Sequence, residues 1–157
     1  SDVIRILKLL ENEKKYFISG LQQLKNEKFI KNVDYLDIFT LNSKSLIIKI
    51  KEIFPKIKIN EKQKYLDYLP KYTELTLNNR LLAKIYDINT CYTYNGKYSN
   101  IYCLLIILII NEPTLVGHGF KLYSKLNNNQ KYKGECIGPL PEQLDRSKFK
   151  VLFSKKK

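Results

Sequence analysis

The sequence predicts an α+β fold in which N-terminal helices, over residues about 3–69, pack on a C-terminal antiparallel β-meander of four to five strands. Apolar residues recur at helical spacing in the first half. Beyond Pro70, β-branched and aromatic residues dominate and turn residues arrive at regular intervals. The length of 157 residues suits one domain, with a helical half at 1–70, a β half at 71–153 and a basic tail at 154–157.

A long first helix is predicted from Val3 to about Lys28, with a bend at Gly20. The apolar side chains that define its stripe follow one another at three- and four-residue steps, interrupted by Lys14. We expect the stripe to pack on the core of the same domain, and a coiled-coil or partner-binding surface is the alternative. The stripe consists of Val3, Leu7, Leu10, Phe17, Leu21 and Leu24.

Further helical structure is expected before residue 70. A short helical turn is predicted at Asp34–Phe39. Ser43 is expected to cap a second helix with one apolar side, which Pro55 ends. Asn60 is followed by Gln63 in the spacing of a capping box, so a third helix is predicted from there to Pro70.

Asn95-Gly96 is the strongest hairpin signal in the chain, because a type I′ turn needs positive φ at both central positions. This turn is expected to join a strand at about Leu81–Tyr94 with a strand at about Lys97–Ile110. The run Cys103–Ile110 does not alternate, which indicates a central strand covered on both faces.

Other strands complete the predicted meander. Leu115–Leu126 and Lys131–Ile137 are the third and fourth strands, and Glu74–Leu77 is a candidate fifth. Lys148–Phe153 is expected to return as an edge strand before the lysine tail.

The net charge of +13, from 28 basic and 15 acidic side chains, favours a polyanionic partner such as nucleic acid. AT-rich codons encode Lys, Asn, Ile and Tyr, so an AT-rich genome is the alternative source of the lysine excess. Arginine occurs only three times. Since arginine makes the bidentate contacts that read guanine, we expect lysine contacts to phosphate with little sequence preference.

Two groups of basic residues are the candidate nucleic-acid contacts, and the alternative is a solvated lysine surface without a ligand. The second group includes tyrosines that can stack on bases. The first group is Lys44, Lys49, Lys51, Lys56, Lys58, Lys62 and Lys64, with Lys71 beside it; the second is Lys121, Lys125, Lys131, Tyr123 and Tyr132.

Catalytic signals are weak. His118, the one histidine, lies between two glycines and is the only catalytic candidate, with no partner assignable from sequence. Three carboxylates of the predicted meander, Asp87, Glu112 and Glu135, do not form the ExK pattern of a metal-dependent nuclease. Phosphate-loop, dinucleotide, nucleophile-elbow and HExxH motifs are absent from the sequence, so no cofactor is predicted.

No metal is predicted either. Three cysteines and His118 match the number of ligands in a zinc site, but they lack the short spacings that such sites use. The cysteines are Cys91, Cys103 and Cys136.

The sequence predicts an intracellular protein of the cytoplasm or nucleus, with a virion as another setting. The first residues do not resemble a secretory signal, and an odd number of cysteines favours reduced thiols. The longest apolar run, Ile101–Ile110, is half the ~20 residues that a membrane-spanning helix needs.

The leading hypothesis is a non-enzymatic nucleic-acid-binding protein. The alternative is a structural or interaction subunit of a larger assembly, viral or cellular, or a homo-oligomer, that uses the first helix or the sheet edge. The third is an enzyme of unrecognised type centred on His118.

Overall fold

A computed structural model describes residues 1–14, 16–62, 71–87, 92–94, 97–99, 103–104, 107–108, 111–112 and 135–136. The elements in chain order are α1 Asp2–Leu10, β1 Tyr16–Ser19, α2 Gly20–Asn26, β2 Leu36–Thr40, α3 Ser43–Ile53, β3 Lys58–Lys62, β4 Tyr72–Leu77, β5 Arg80–Asp87, β6 Tyr92–Tyr94, β7 Tyr98–Ser99 and β8 Glu135–Cys136. Five later residues are also helical, and we call them the late helical residues: Cys103, Leu104, Ile107, Leu108 and Asn111.

The described strands form one mixed sheet in the order β3-β4-β5-β2-β1-β7-β6-β8. β2 lies parallel to β5, and β1 lies parallel to β7. The remaining neighbours are antiparallel. Helices and a sheet are thus both present, as the α+β class requires. The predicted antiparallel C-terminal meander is wrong, because β1 and β2 come from the first 40 residues and occupy the middle of the sheet.

Side chains on the two faces of the sheet build two separate layers of contacts. Ile18, Ile38 and Ile85 belong to one apolar cluster with residues of α1 and α3. The residues that alternate with them carry aromatic rings on the opposite face. There Phe39 stacks between Phe17, at 4.8 Å between ring centroids, and Tyr86, at 4.4 Å. Both faces of the central strands are therefore covered.

The predicted first helix, Val3–Lys28, is wrong, because the structure divides it into α1, β1 and α2. β1 pairs with β2 on one side and β7 on the other, and Phe17 is fully buried. At the expected bend, Gly20 has a φ of +66°, which glycine adopts without strain. A Cβ there would also overlap the Asp37 carboxyl. The apolar residues of this segment do not form one stripe along a single helix. They belong to two helices and a central strand, and successive residues of that strand are buried on its two faces.

Two other helical predictions are wrong. Asp34–Phe39, expected to be a helical turn, contains most of β2, whose residues are all buried between β1 and β5. Asn60 does not begin a helix, since it lies within β3 and pairs with Glu74 of β4. The rest of that predicted helix, 63–70, falls outside the described residues. The helical half predicted for 1–70 therefore contains three strands.

The strand predicted for Lys97–Ile110 ends early. β7 occupies its start, but the late helical residues follow, and the Glu112 N–H donates to the Leu108 carbonyl at 2.9 Å, the i to i−4 bond of an α-helix. The four described residues of this apolar run, Cys103, Leu104, Ile107 and Leu108, are therefore buried in helical conformation and are not paired in the sheet. In the described part of the chain, no helix has the length and apolar content needed to cross a bilayer.

The strand predicted for Leu81–Tyr94 is divided as well. Its two parts, β5 and β6, are separated in the sheet by β2, β1 and β7. Antiparallel pairing of Tyr94 with Tyr98 joins β6 and β7 around the predicted turn, whose residues Asn95 and Gly96 lie outside the described residues. A second hairpin, not predicted, joins β4 to β5 through Asn78 and Asn79, whose φ angles of 53° and 63° fit a type I′ turn.

Several elements agree with expectation. α3 covers the predicted second helix, although Asn42 and not Ser43 caps it, accepting a hydrogen bond from the Ser45 N–H at 3.0 Å. β4 confirms the fifth strand, and β8 falls inside the strand predicted for Lys131–Ile137. The strands predicted for 115–126 and 148–153, and the tail at 154–157, lie outside the described residues.

Candidate functional site

Six predicted nucleic-acid contacts lie on α3, the loop after it and β3. Lys44 and Lys51 are seven residues apart and share one side of α3. Lys58 and Lys62 are four residues apart and share one face of β3. Most of these side chains are exposed, with Lys49 and Lys62 partly buried. The six are Lys44, Lys49, Lys51, Lys56, Lys58 and Lys62.

The other predicted site residues lie outside the described residues. They are Lys64, Lys121, Lys125, Lys131, Tyr123, Tyr132 and the catalytic candidate His118. Of the zinc alternative, Cys103 is buried, whereas Cys91 lies outside the described residues. Among the described side chains, no three of His, Cys, Asp or Glu come close enough together to hold a metal ion.

A pocket opens where four elements meet, and we call it the α3 pocket. It lies at the carboxyl end of the parallel pair β2 and β5, where Thr40 is paired with Asp87 and α3 begins just after β2. In sheets with parallel strands this is the usual edge for ligands. Its volume is about 180 Å³, and its lining residues are Ser43, Lys44, Ile47, Glu61, Lys62, Lys71, Tyr72, Thr73 and Asp87.

The electrostatics of the α3 pocket favour an anion. Lys44, Lys62 and Lys71 converge on it, and none of them forms an ion pair with a carboxylate of the described residues. The pocket also lies at the N-terminal end of α3, where the helix dipole is positive and the first N–H groups point outward. The fold thus brings together three cations that are separated in the sequence.

Lys49 differs from the other predicted lysines. Its Nζ donates to the Glu13 carboxylate at 2.5 Å, and the two side chains are 44% and 19% exposed. Lys49 is not part of the α3 pocket lining. Because Glu13 offsets its charge, Lys49 is the weakest phosphate-contact candidate of the six.

A buried polar cluster surrounds Asp37 on the sheet face opposite α3. The Oδ1 atom of Asp37 accepts hydrogen bonds from the Tyr86 hydroxyl at 2.8 Å and from Asn111 Nδ2 at 3.1 Å. Lys84 Nζ donates to Asn111 Oδ1 at 2.8 Å, so the cluster ties the late helical residues to β2 and β5. Asp37 Oδ2 is buried and has no hydrogen-bond partner among the described residues.

Burial raises the pKa of Asp37 from its ordinary value of 3.8 to about 7, while the Tyr86 hydrogen bond and the Lys84 charge act in the opposite direction. Burial and the neighbouring Asp37 also raise the pKa of Tyr86 well above its usual range. A carboxyl that titrates near neutral pH suits proton transfer. Asp37 is only 1% exposed, however, so in this structure it joins elements and does not face a substrate.

Sequence reasoning found the pocket lysines but missed what surrounds them. Ser43 was expected only as a helix cap, and Asp87 was considered only as a nuclease carboxylate. Asp37 was missed altogether, although an acidic residue inside the apolar run Tyr35–Phe39 was a signal for a buried polar site. Its partner Tyr86 is 49 residues away, a distance that spacing rules do not reach.

No family model matches the sequence, and no curated protein is similar to it at a significant level. Among solved structures, the crystal structure of the Megavirus polyadenylate synthase is similar, with a TM-score of 0.56 and 14% sequence identity. The match covers 99% of this chain and 43% of that chain, so this chain spans less than half the length of the similar protein. At this identity the likeness shows a shared fold.

Proposed function

We propose that this chain is a nucleic-acid-binding protein that holds phosphates through the lysines of α3, its following loop and β3, with little sequence preference. The observation that carries the proposal is the convergence of Lys44, Lys62 and Lys71 on the α3 pocket without carboxylate partners among the described residues. Lysine is a flexible point charge, so contacts of this kind follow the backbone and do not read bases.

Two further observations support the proposal. The net charge of +13 attracts a polyanion at long range. The similar structure belongs to a polyadenylate synthase, and polyadenylate is itself a nucleic acid. Its viral source also supports a viral setting for this chain, within an infected cell or a virion.

The test is a fluorescence-anisotropy titration of short single-stranded and double-stranded DNA and RNA at several salt concentrations. Binding should weaken linearly on a plot of log affinity against log salt. The triple variant Lys44→Gln, Lys62→Gln and Lys71→Gln should bind single strands more weakly and reduce the slope by about 2, at ~0.7 for each lost phosphate contact.

The matched control removes the same charge from other elements. Lys8 of α1, Lys25 of α2 and Lys31 of the loop before β2 are all exposed and lie outside the α3 pocket. Their triple replacement by glutamine should leave the slope within about 0.5 of the unaltered chain. The proposal fails if no oligonucleotide binds at low salt, or if the control variant loses as much affinity as the pocket variant.

A second candidate function is an interaction subunit. It is favoured by two exposed isoleucines on the same elements, Ile48 of α3 at 60% and Ile59 of β3 at 42%. β3 is also one of the two edge strands of the described sheet. This function predicts oligomers in light scattering that survive nuclease treatment and dissociate in the variant Ile48→Lys with Ile59→Lys.

A further inference from the structure

The lining of the α3 pocket is not that of a simple phosphate site. Beside its three lysines stand the carboxylates of Glu61 and Asp87. A carboxylate accepts hydrogen bonds and repels a phosphate, so these two side chains oppose the anion that the lysines attract. A ligand that satisfies the whole lining therefore carries hydroxyl donors next to its anionic group.

Asp87 is held in place by its backbone. It pairs with Thr40 of β2, and its N–H donates to the Lys71 carbonyl at 3.3 Å. The backbones of Asp87 and Lys71 are thus joined beside the pocket that both residues line. A short side chain on a paired strand end offers an acceptor in a defined position.

The size of the pocket limits what enters it. At about 180 Å³ it is smaller than the ~300 Å³ of ordinary small-molecule sites. A sugar with its phosphate suits a space of this kind, whereas a complete nucleotide with its base does not. Base identity would then have no effect at this site.

We infer that the α3 pocket binds the ribose-phosphate unit of RNA, with the lysines donating to phosphate oxygens and a carboxylate of Asp87 or Glu61 accepting from the 2′-hydroxyl. The inference rests on the proposed function and adds a preference for RNA. The 2′-hydroxyl is the group that distinguishes RNA from DNA at a given site. In dinucleotide-binding sites, an Asp or Glu carboxylate accepts a hydrogen bond from the ribose 2′-hydroxyl.

The test compares two probes that differ only in the 2′-hydroxyl, a fluorescent 12-residue oligouridine and the matching oligodeoxyuridine, at one salt concentration. The unaltered chain should bind the RNA about tenfold more tightly, the effect of one charged hydrogen bond. In the variant Asp87→Ala with Glu61→Ala this ratio should fall to about twofold or less, while DNA affinity stays equal or rises because two negative charges are gone.

Glu52→Ala is the control, because Glu52 is an exposed carboxylate of α3 outside the pocket lining. It should keep the full ratio of RNA to DNA affinity. The ratio of RNA to DNA affinity in the two single variants, Asp87→Ala and Glu61→Ala, shows how much of the preference each carboxylate provides.

Each other outcome has a definite meaning. Equal affinity for both probes with a steep salt slope overturns the ribose inference and leaves the proposed function standing. A preference for RNA that persists in the double variant also overturns it, since the 2′-hydroxyl is then read elsewhere. Absence of binding to both probes overturns the inference and the proposed function together.

Discussion

Asp37 should make the fold less stable as the pH rises from 5 to 7.5. Burial raises the pKa of its carboxyl to about 7 in the folded chain, against 3.8 when the group is free in water. The folded state then binds the proton more tightly than the unfolded state does. The stabilisation from this proton is complete below about pH 4 and is lost as the pH rises through 7.

The size of the effect follows from the two pKa values. Between pH 5 and pH 7.5 the proton linkage removes about 2 to 3 kcal/mol from the free energy of unfolding. The reason is structural: Oδ1 holds two donors, but the buried Oδ2 has no hydrogen-bond partner among the described residues to stabilise a negative charge.

The assay is urea unfolding at both pH values for the unaltered chain and for Asp37→Asn. The asparagine Oδ1 keeps the two hydrogen bonds but does not titrate. Titration of every other group is common to both proteins, so the difference between their pH dependences isolates Asp37. Equal pH dependence within about 0.5 kcal/mol would refute the reasoning, as would a difference of opposite sign.

Three other changes test the packing of the sheet, each measured as the free energy of unfolding in urea. Gly20→Ala should cost about 2 to 4 kcal/mol, because its φ is +66° and a Cβ would overlap the Asp37 carboxyl; a loss below about 1 kcal/mol would mean that the carboxyl moves aside freely. Phe39→Ala should cost about 3 to 5 kcal/mol, since this fully buried ring stacks between two others, whereas Ile48→Ala, at a 60% exposed position, should cost less than about 0.5 kcal/mol. Asn79→Ala should cost about 1 kcal/mol and Asn79→Gly almost nothing, because the φ of Asn79 is 63°; equal stability of these two variants contradicts the turn assignment.

Local signals were sufficient where one short segment determines its own conformation. α3 was predicted from its apolar side and its polar start, and the antiparallel pairing of the strands on either side of Asn95-Gly96 from the residues between them. Both depend on residues within a few positions of each other. Tertiary contacts do not change such outcomes, so prediction and structure agree.

The wrong secondary-structure predictions fall on apolar segments that are buried on all sides. Phe17 matches a helical stripe by spacing, yet it lies in β1, a strand with a neighbour on each side. The residues from Cys103 to Leu108 match a central strand, yet those that are described are helical. When every side of an element is covered, the pattern of polar residues that distinguishes period 2 from period 3.6 is lost.

The candidate site was predictable in kind but not in arrangement. The excess of lysine over acid in 44–71 is visible in the sequence, and it identified Lys44, Lys62 and Lys71. That these three meet at one pocket with Asp87 depends on the pairing of β3, β4, β5 and β2. A pairing of this kind cannot be inferred once the strands before residue 70 have been taken for helices.

The central position of β1 also determines when the fold can be completed. One edge of β1 is closed by β7, and the hydroxyls of Ser19 and Ser99 that meet at this junction are 80 residues apart in the chain. Closing so long a loop costs entropy before any contact compensates for it, which slows folding. A nascent chain therefore carries an apolar strand with an open edge until β7 leaves the ribosome, and during that interval the strand is open to pairing with other chains.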